Sequence, residues 1–200
     1  MPETLRILLA FALGAVPAIG LCRLVMLLGV VDAPTDARKT HKVPVPTLGG
    51  LGVAAAAAIA VAAVSLLAAW PLSDTVLIIS GGALAGLSLG LADDTMRVPA
   101  LARLLIMAAI ALGVTVMGVR AGELEPWPDL VLDLPIAIAV LGSVAWLIVV
   151  MNAVNFMDGA NGLAMGMAAV AAAGLAICGA IIGAWDIALL SGALAGALAG

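Results

Sequence analysis

The sequence predicts an all-α membrane protein, a polytopic bundle of about seven transmembrane helices that forms an N-terminal portion of a larger bundle. Composition, charge spacing and loop charge carry that expectation. Hydrophobic residues fill 65% of the 200 positions and charged residues 10%, against about 45–50% and about 25% in soluble domains. The 8 basic and 12 acidic residues leave charge-free runs at 43–73, 75–92, 104–119, 134–157 and 159–185. A bilayer-crossing helix needs about 20 apolar residues at 1.5 Å each. Backbone groups in hydrocarbon must bond within their own segment, which leaves helices.

The spans follow in order at 5–30, 51–70, 75–92, 102–119, 135–153, 162–184 and 187–200. The first is interrupted by Arg23, but its apolar part is too long for a signal peptide and further spans follow. The fourth is short. Ala102 and the long side chains of Arg103 and Arg120 extend it by snorkelling. The last stops at Gly200 without flanking charge, so the chain is expected to be cut short. The whole, 1–200, reads as one integral membrane domain. Small-residue positions such as Gly82, Gly86 and Gly90, and the alanine tracts 54–58 and 168–173, read as faces for close helix packing. Cys22 and Cys178 lie in apolar runs and are expected to be buried thiols rather than a disulfide or metal site.

Alternating spans put the segments 31–50, 93–101 and 154–161 on one side of the membrane. That side holds Arg38, Lys39, Lys42, Arg97 and Arg103, while the other holds Arg120 with Asp74, Glu123, Glu125, Asp129, Asp133 and Asp186. The positive-inside rule makes the first side cytoplasmic and the N-terminus external. The expected location is the plasma (inner) membrane, with the active face cytoplasmic. Segment 121–134 becomes the one sizeable outer loop, with Trp127 as an interfacial anchor. A net charge of −4 without a basic stripe excludes a nucleic-acid binder.

Reactive residue types collect on the cytoplasmic side. Asp93 and Asp94 end an apolar helix, where the dipole is negative and like charges repel. A cation must compensate them. Mg2+, with hard oxygen ligands, suits that role, and so does solvation beside Arg97. Asn155, Asp158 and Asn161 recur every third residue, so Asn155 and Asp158 share a face if the segment is helical. They supply oxygen donors for a metal or hydrogen bonds for a sugar or base, or else they form an Asx-type cap. Asn152, one turn earlier, caps or orders the same loop. Arg38, Lys39, His41 and Lys42 precede Pro44, Pro46, Gly49 and Gly50. They bind phosphate there, or simply fix topology at the lipid surface. Acidic metal ligands and basic phosphate ligands on one membrane face are an inventory for phosphoryl transfer.

Three motifs carry a resemblance: Asp32-x-Pro34-x-x-x-Arg38-Lys39-x-His41 with Pro46-x-x-Gly49-Gly50; Gly90-Leu-Ala-Asp93-Asp94; and Asn152-Ala-Val-Asn155-Phe-Met-Asp158-Gly-Ala-Asn161-Gly. The sequence resembles the polyprenyl-phosphate N-acetylhexosamine-1-phosphate transferases (glycosyltransferase family 4). These enzymes initiate O-antigen, lipopolysaccharide and teichoic-acid glycans in cell-wall biogenesis. The resemblance implies transfer of N-acetylhexosamine 1-phosphate from a UDP-sugar to undecaprenyl (polyprenyl) phosphate, with Mg2+ or Mn2+, releasing UMP. It implies catalytic roles for Asp93, Asp94 and Asp158, with Asp93 as the base on the lipid phosphate. Asp94, Asn155 and Asp158 become metal ligands, and Arg38, Lys39, His41, Lys42 and Asn161 substrate contacts. Many members carry Asp where Asn161 stands, which favours nucleotide contact over metal ligation there. A Gly-Asp loop and a His-rich loop follow in the family and are not in this sequence, so this stretch alone is expected to be inactive. Rival readings are an ion-coupled transporter, an intramembrane aspartyl protease and a non-catalytic, truncated assembly subunit. The motifs specify neither the sugar nor the oligomeric state, a homo-oligomer included.

Overall fold

The computed structural model describes residues 2–27, 31–32, 45–46, 49–96, 98–127, 130–157 and 163–200. Among them the helices are α1 (Glu3–Leu27), α2 (Gly49–Leu67), α3 (Asp74–Met96), α4 (Ala100–Val116), α5 (Ile136–Met157), α6 (Leu163–Ile181) and α7 (Trp185–Ala199). Each coincides with a predicted span. Five regions are long and apolar enough to cross a membrane: Glu3–Leu24, Gly49–Leu67, Asp74–Met96, Ile136–Met157 and Leu163–Ile181. This is a multi-pass membrane protein of the all-α bundle class.

Short antiparallel ladders join some of the helices. The strands β1 (Val31–Asp32) and β2 (Val45–Pro46) pair Val31 with Pro46 and Asp32 with Val45. That ladder brings together the two ends of segment 33–44. The strands β3 (Glu123–Trp127) and β4 (Leu130–Asp133) form a hairpin where a loop was expected. Leucine, valine and tryptophan favour extended backbone, and the sequence Pro128-Asp129 between the strands favours a turn. The Leu134 amide donates to the Gly122 carbonyl at 2.8 Å and closes the hairpin base.

The chain divides into two compact units, 1–76 with 157–200 and 77–156. In the first, α7 packs against α1, α2 and α6. It has 15 residues, about 22 Å of helix, and most of it is buried. Small residues allow this approach. A Cβ on Gly192 would meet Ile7, one on Gly196 the Phe11 carbonyl, and one on Gly200 the Ala15 carbonyl. Both partners advance by four, so α1 and α7 run parallel, as the first and seventh of the expected alternating spans would. Ala10, Ala60, Val61, Val64, Leu189 and Ala193 form the adjoining core.

One edge of this unit carries polar contacts. The Trp70 indole N–H donates to Asp186 Oδ1 at 3.0 Å, and the Arg6 guanidinium lies 5.0 Å from the Trp70 ring centroid. The Ser65 hydroxyl donates to the Trp70 carbonyl at 2.7 Å. It fastens the turn in which Ala69 takes a φ of 49°.

In the second unit, a Cβ on Gly82 would meet the Val114 side chain of α4 at 2.6 Å, whereas Gly86 and Gly90 have nothing within 4 Å among the described residues. Only Gly82 of that predicted series packs closely. Leu89, Met107, Ala111, Thr115 and Ala139 are buried, but Leu105, Trp146 and Val149 are exposed. Lipid rather than protein covers such side chains in a membrane helix. The same reason corrects the cysteine expectation: Cys178 is exposed and Cys22 only half-buried, since an apolar thiol in lipid has no need of protein cover.

Candidate active site

The acidic pair lies on a helix, not in the loop expected at 93–101. α3 continues to Met96, because aspartate weakens a helix without breaking it. Beyond it Pro99, with φ −56° and ψ 141°, is the N-cap of α4. Proline lacks an N–H and disfavours helical backbone before it, so the chain must turn. The helix end is tightened locally. The Thr95 hydroxyl donates to the Leu91 carbonyl at 2.8 Å and the Ala92 carbonyl at 3.3 Å.

Across that turn Arg103 Nη1 donates to Asp93 Oδ2 at 2.9 Å. The pair is partly exposed, at 29% for Arg103 and 24% for Asp93. Each member is disfavoured by its own helix: Asp93 sits at the negative C-terminal end of α3 and Arg103 at the positive N-terminal end of α4. Each is favoured by the other's helix. The cation that pairs with Asp93 is therefore Arg103, whose expected roles were to extend a short span and to mark the cytoplasmic side. Its signal was available. Asp93 lies three residues before the last residue of α3, and Arg103 three residues after the first residue of α4. Antiparallel helices joined by a tight turn bring such positions together, as Gly82 and Val114 meet further along the same pair. Arg97 lies outside the described residues. Asp94 is exposed.

Asn155 is likewise helical, in the last turn of α5, which ends at Met157 rather than at 153. Its side chain is exposed. Asn152 donates from Nδ2 to the Ile148 carbonyl at 2.8 Å. It folds back onto its own helix, so it orders α5 directly. Asp158 and Asn161 lie outside the described residues, as do Arg38, Lys39, His41 and Lys42. Asp93, Asp94, Arg103, Asn152 and Asn155 all fall within the unit 77–156.

Among the described residues no group of three or more His, Cys, Asp or Glu gathers to hold a metal. The described hard-oxygen donors at these helix ends beyond the ion-paired Asp93 are Asp94 and Asn155, which suit Mg2+ in type.

Comparison with known proteins gives the arrangement a context. The profile described as Glycosyl transferase family 4 matches residues 76–200, which run from α3 to the end of α7. A probable undecaprenyl-phosphate N-acetylglucosaminyl 1-phosphate transferase of Bacillus subtilis (strain 168) is 28% identical over 156 residues. The alignment covers 78% of this chain and 42% of that protein, so the chain spans less than half the length of its relative. No solved structure matches.

Proposed function

The chain belongs to glycosyl transferase family 4, and from that premise we propose that it is part of an enzyme transferring N-acetylhexosamine 1-phosphate from a UDP-sugar to polyprenyl phosphate, with release of UMP. The observation that carries this reading is the placement of Asp93 and Asp94. They stand side by side at the end of a membrane helix, within the region that matches the family. A lipid-borne phosphate lies at the depth of such a helix end, and a nucleotide sugar approaches from the adjoining water.

In this reading Asp93 accepts the proton of the lipid phosphate. The freed phosphate oxygen forms a bond to the phosphorus that carries the sugar. The bond from that phosphorus to the bridging oxygen breaks, and UMP leaves with its electron pair. Asp94, Asn155 and Asp158 would hold Mg2+, which when bound neutralises diphosphate charge. Arg38, Lys39, His41 and Lys42 bind nucleotide phosphates, in a segment whose flanking residues pair as β1 and β2. Asn161 contacts the nucleotide. The loop charges orient all of these toward the cytoplasm, at the plasma membrane.

A transporter would use charge within its spans. Between Asp74 and Asp93, α3 has none, which favours the transferase. The test is transfer of radiolabel from UDP-N-acetylhexosamine into the lipid fraction by the complete polypeptide in membranes, with UMP measured as co-product. Label should enter lipid and chelation by EDTA should stop it. Parental activity in Asp93→Asn overturns the site. No transfer with any UDP-N-acetylhexosamine overturns the reaction.

A further inference from the structure

The contact between α3 and α4 occupies one oxygen of the carboxylate read above as the base. Arg103 meets Asp93 through a single donor, Nη1, on a single acceptor, Oδ2, at 2.9 Å. Oδ1 is the oxygen left for other work. We propose that Arg103 is a positioning residue for sugar-phosphate transfer: by holding Oδ2 it fixes the rotation of the Asp93 carboxylate and presents Oδ1 to the acceptor phosphate. This rests on the reading of Asp93 as the proton acceptor.

Asp93 stands at the C-terminal end of its own helix, so α3 offers it no backbone N–H to fix its rotamer. Among the described residues its fixed donor comes from the neighbouring helix. A cationic side chain suits the task because it keeps its charge and can hold one carboxylate oxygen through a single N–H. The following residues of α4, 104–116, carry no charge, so Arg103 has no acidic partner on its own helix to draw it away. An ion pair of this exposure adds little to the stability of a fold. What it does supply is a fixed orientation for a group on which the chemistry turns. Arg103 forms and breaks no bond in the reaction. The proton passes from the phosphate to Asp93 and on to solvent.

The experiment is steady-state kinetics of the complete polypeptide in lipid–detergent micelles, comparing the parent with Arg103→Gln, Arg103→Lys and Asp93→Asn. A misplaced catalytic group costs up to about 100-fold in rate. Arg103→Gln should therefore lower kcat by roughly 10- to 100-fold, with KM for the sugar nucleotide changed by less than about twofold. Its thermal midpoint should match the parent. Arg103→Lys retains a cationic donor for a one-point contact and should recover kcat to within about threefold of the parent.

Unchanged kcat in Arg103→Gln overturns the proposal, and so does a raised KM with kcat preserved, which would make Arg103 a substrate ligand. If Arg103→Gln does not fold, a folded Arg103→Lys that loses more than about tenfold in kcat overturns it as well. An inactive Asp93→Asn beside a fully active Arg103→Gln removes the Arg103 inference alone. A fully active Asp93→Asn removes the underlying reading.

Discussion

In the unit formed by 1–76 and 157–200, helices meet backbone to backbone, and the residues at the contact are glycine and alanine: Gly14, Gly192, Gly196 and Gly200 with Ala10, Ala18 and Ala193. In the unit 77–156, Gly82 alone of its glycine series meets a neighbouring helix among the described residues, and large side chains such as Leu105 and Trp146 stay exposed. The polar residues divide the other way. The first unit uses Trp70, Asp186 and Arg6 on one another. The second carries Asp93, Asp94 and Asn155 at its helix ends. Tight packing fixes a backbone and leaves little room for a ligand. Loose packing with charge at the edges leaves room and depends on local contacts, such as Arg103 with Asp93, for its order. The contrast teaches that the two units should respond to mutation through different observables.

The largest effect is expected in the loosely packed unit and on activity alone. Asp93→Asn removes a proton acceptor, and general base catalysis contributes about 10²–10⁴-fold. Transfer should fall by that factor, while the thermal midpoint in detergent stays near the parent's because the side chain is partly exposed. A large drop in midpoint would mean that the carboxylate holds the fold together.

Next comes a pair of truncations read by unfolding. Leu189 is fully buried, at 0% exposure, whereas Leu105 stands exposed at 61%. Leu189→Ala leaves a cavity and should cost about 2–5 kcal/mol. Leu105→Ala should cost well under about 1 kcal/mol, since little of the described protein packs there. Equal costs would break the contrast between the units.

A smaller loss, about 1.5–3 kcal/mol, is expected from Trp70→Phe. The phenyl ring keeps a face for Arg6 but cannot donate to Asp186, and hydrogen bonds to charged groups fall in that range. Sugar-phosphate transfer, measured at saturating substrate, should not change. A selective loss of activity with parental stability would place this edge in the reaction.

How far these features were legible in the sequence follows the same division. The spans were legible because charge-free runs of that length in a bilayer can only be helices. The helix ends were less so. Asp93 and Asp94 were placed in a loop because charge ends an apolar run, and Asn155 because polar residues interrupt one, yet neither ends a helix: α3 runs on to Met96 before Pro99, and α5 to Met157. The close-packing glycines were misjudged for a related reason. Gly82, Gly86 and Gly90 show the spacing that permits approach, as do Gly192, Gly196 and Gly200, but spacing on one helix does not say whether a partner is present. Arg103 was passed over because its partner lies on another helix, ten residues along the chain, beyond any within-helix spacing rule.

The glycines supply the finest test, because the units should differ in sign. Gly196→Ala puts a methyl group against the Phe11 backbone, whose carbonyl carbon and Cα lie 2.8 and 2.9 Å from the Cβ position. Backbone cannot rotate away as a side chain can, so α1 and α7 must separate, and overpacking of this kind costs about 1–3 kcal/mol. Gly86→Ala adds the same methyl group to α3 where nothing lies within 4 Å. There the change only removes backbone freedom from the unfolded chain, and replacing a mid-helix glycine with alanine gains up to about 1 kcal/mol. Unfolding midpoints in one detergent should therefore move down for Gly196→Ala and up for Gly86→Ala. If both fall, α3 has a close partner at Gly86 that its described neighbours do not supply, and the second unit is packed as tightly as the first.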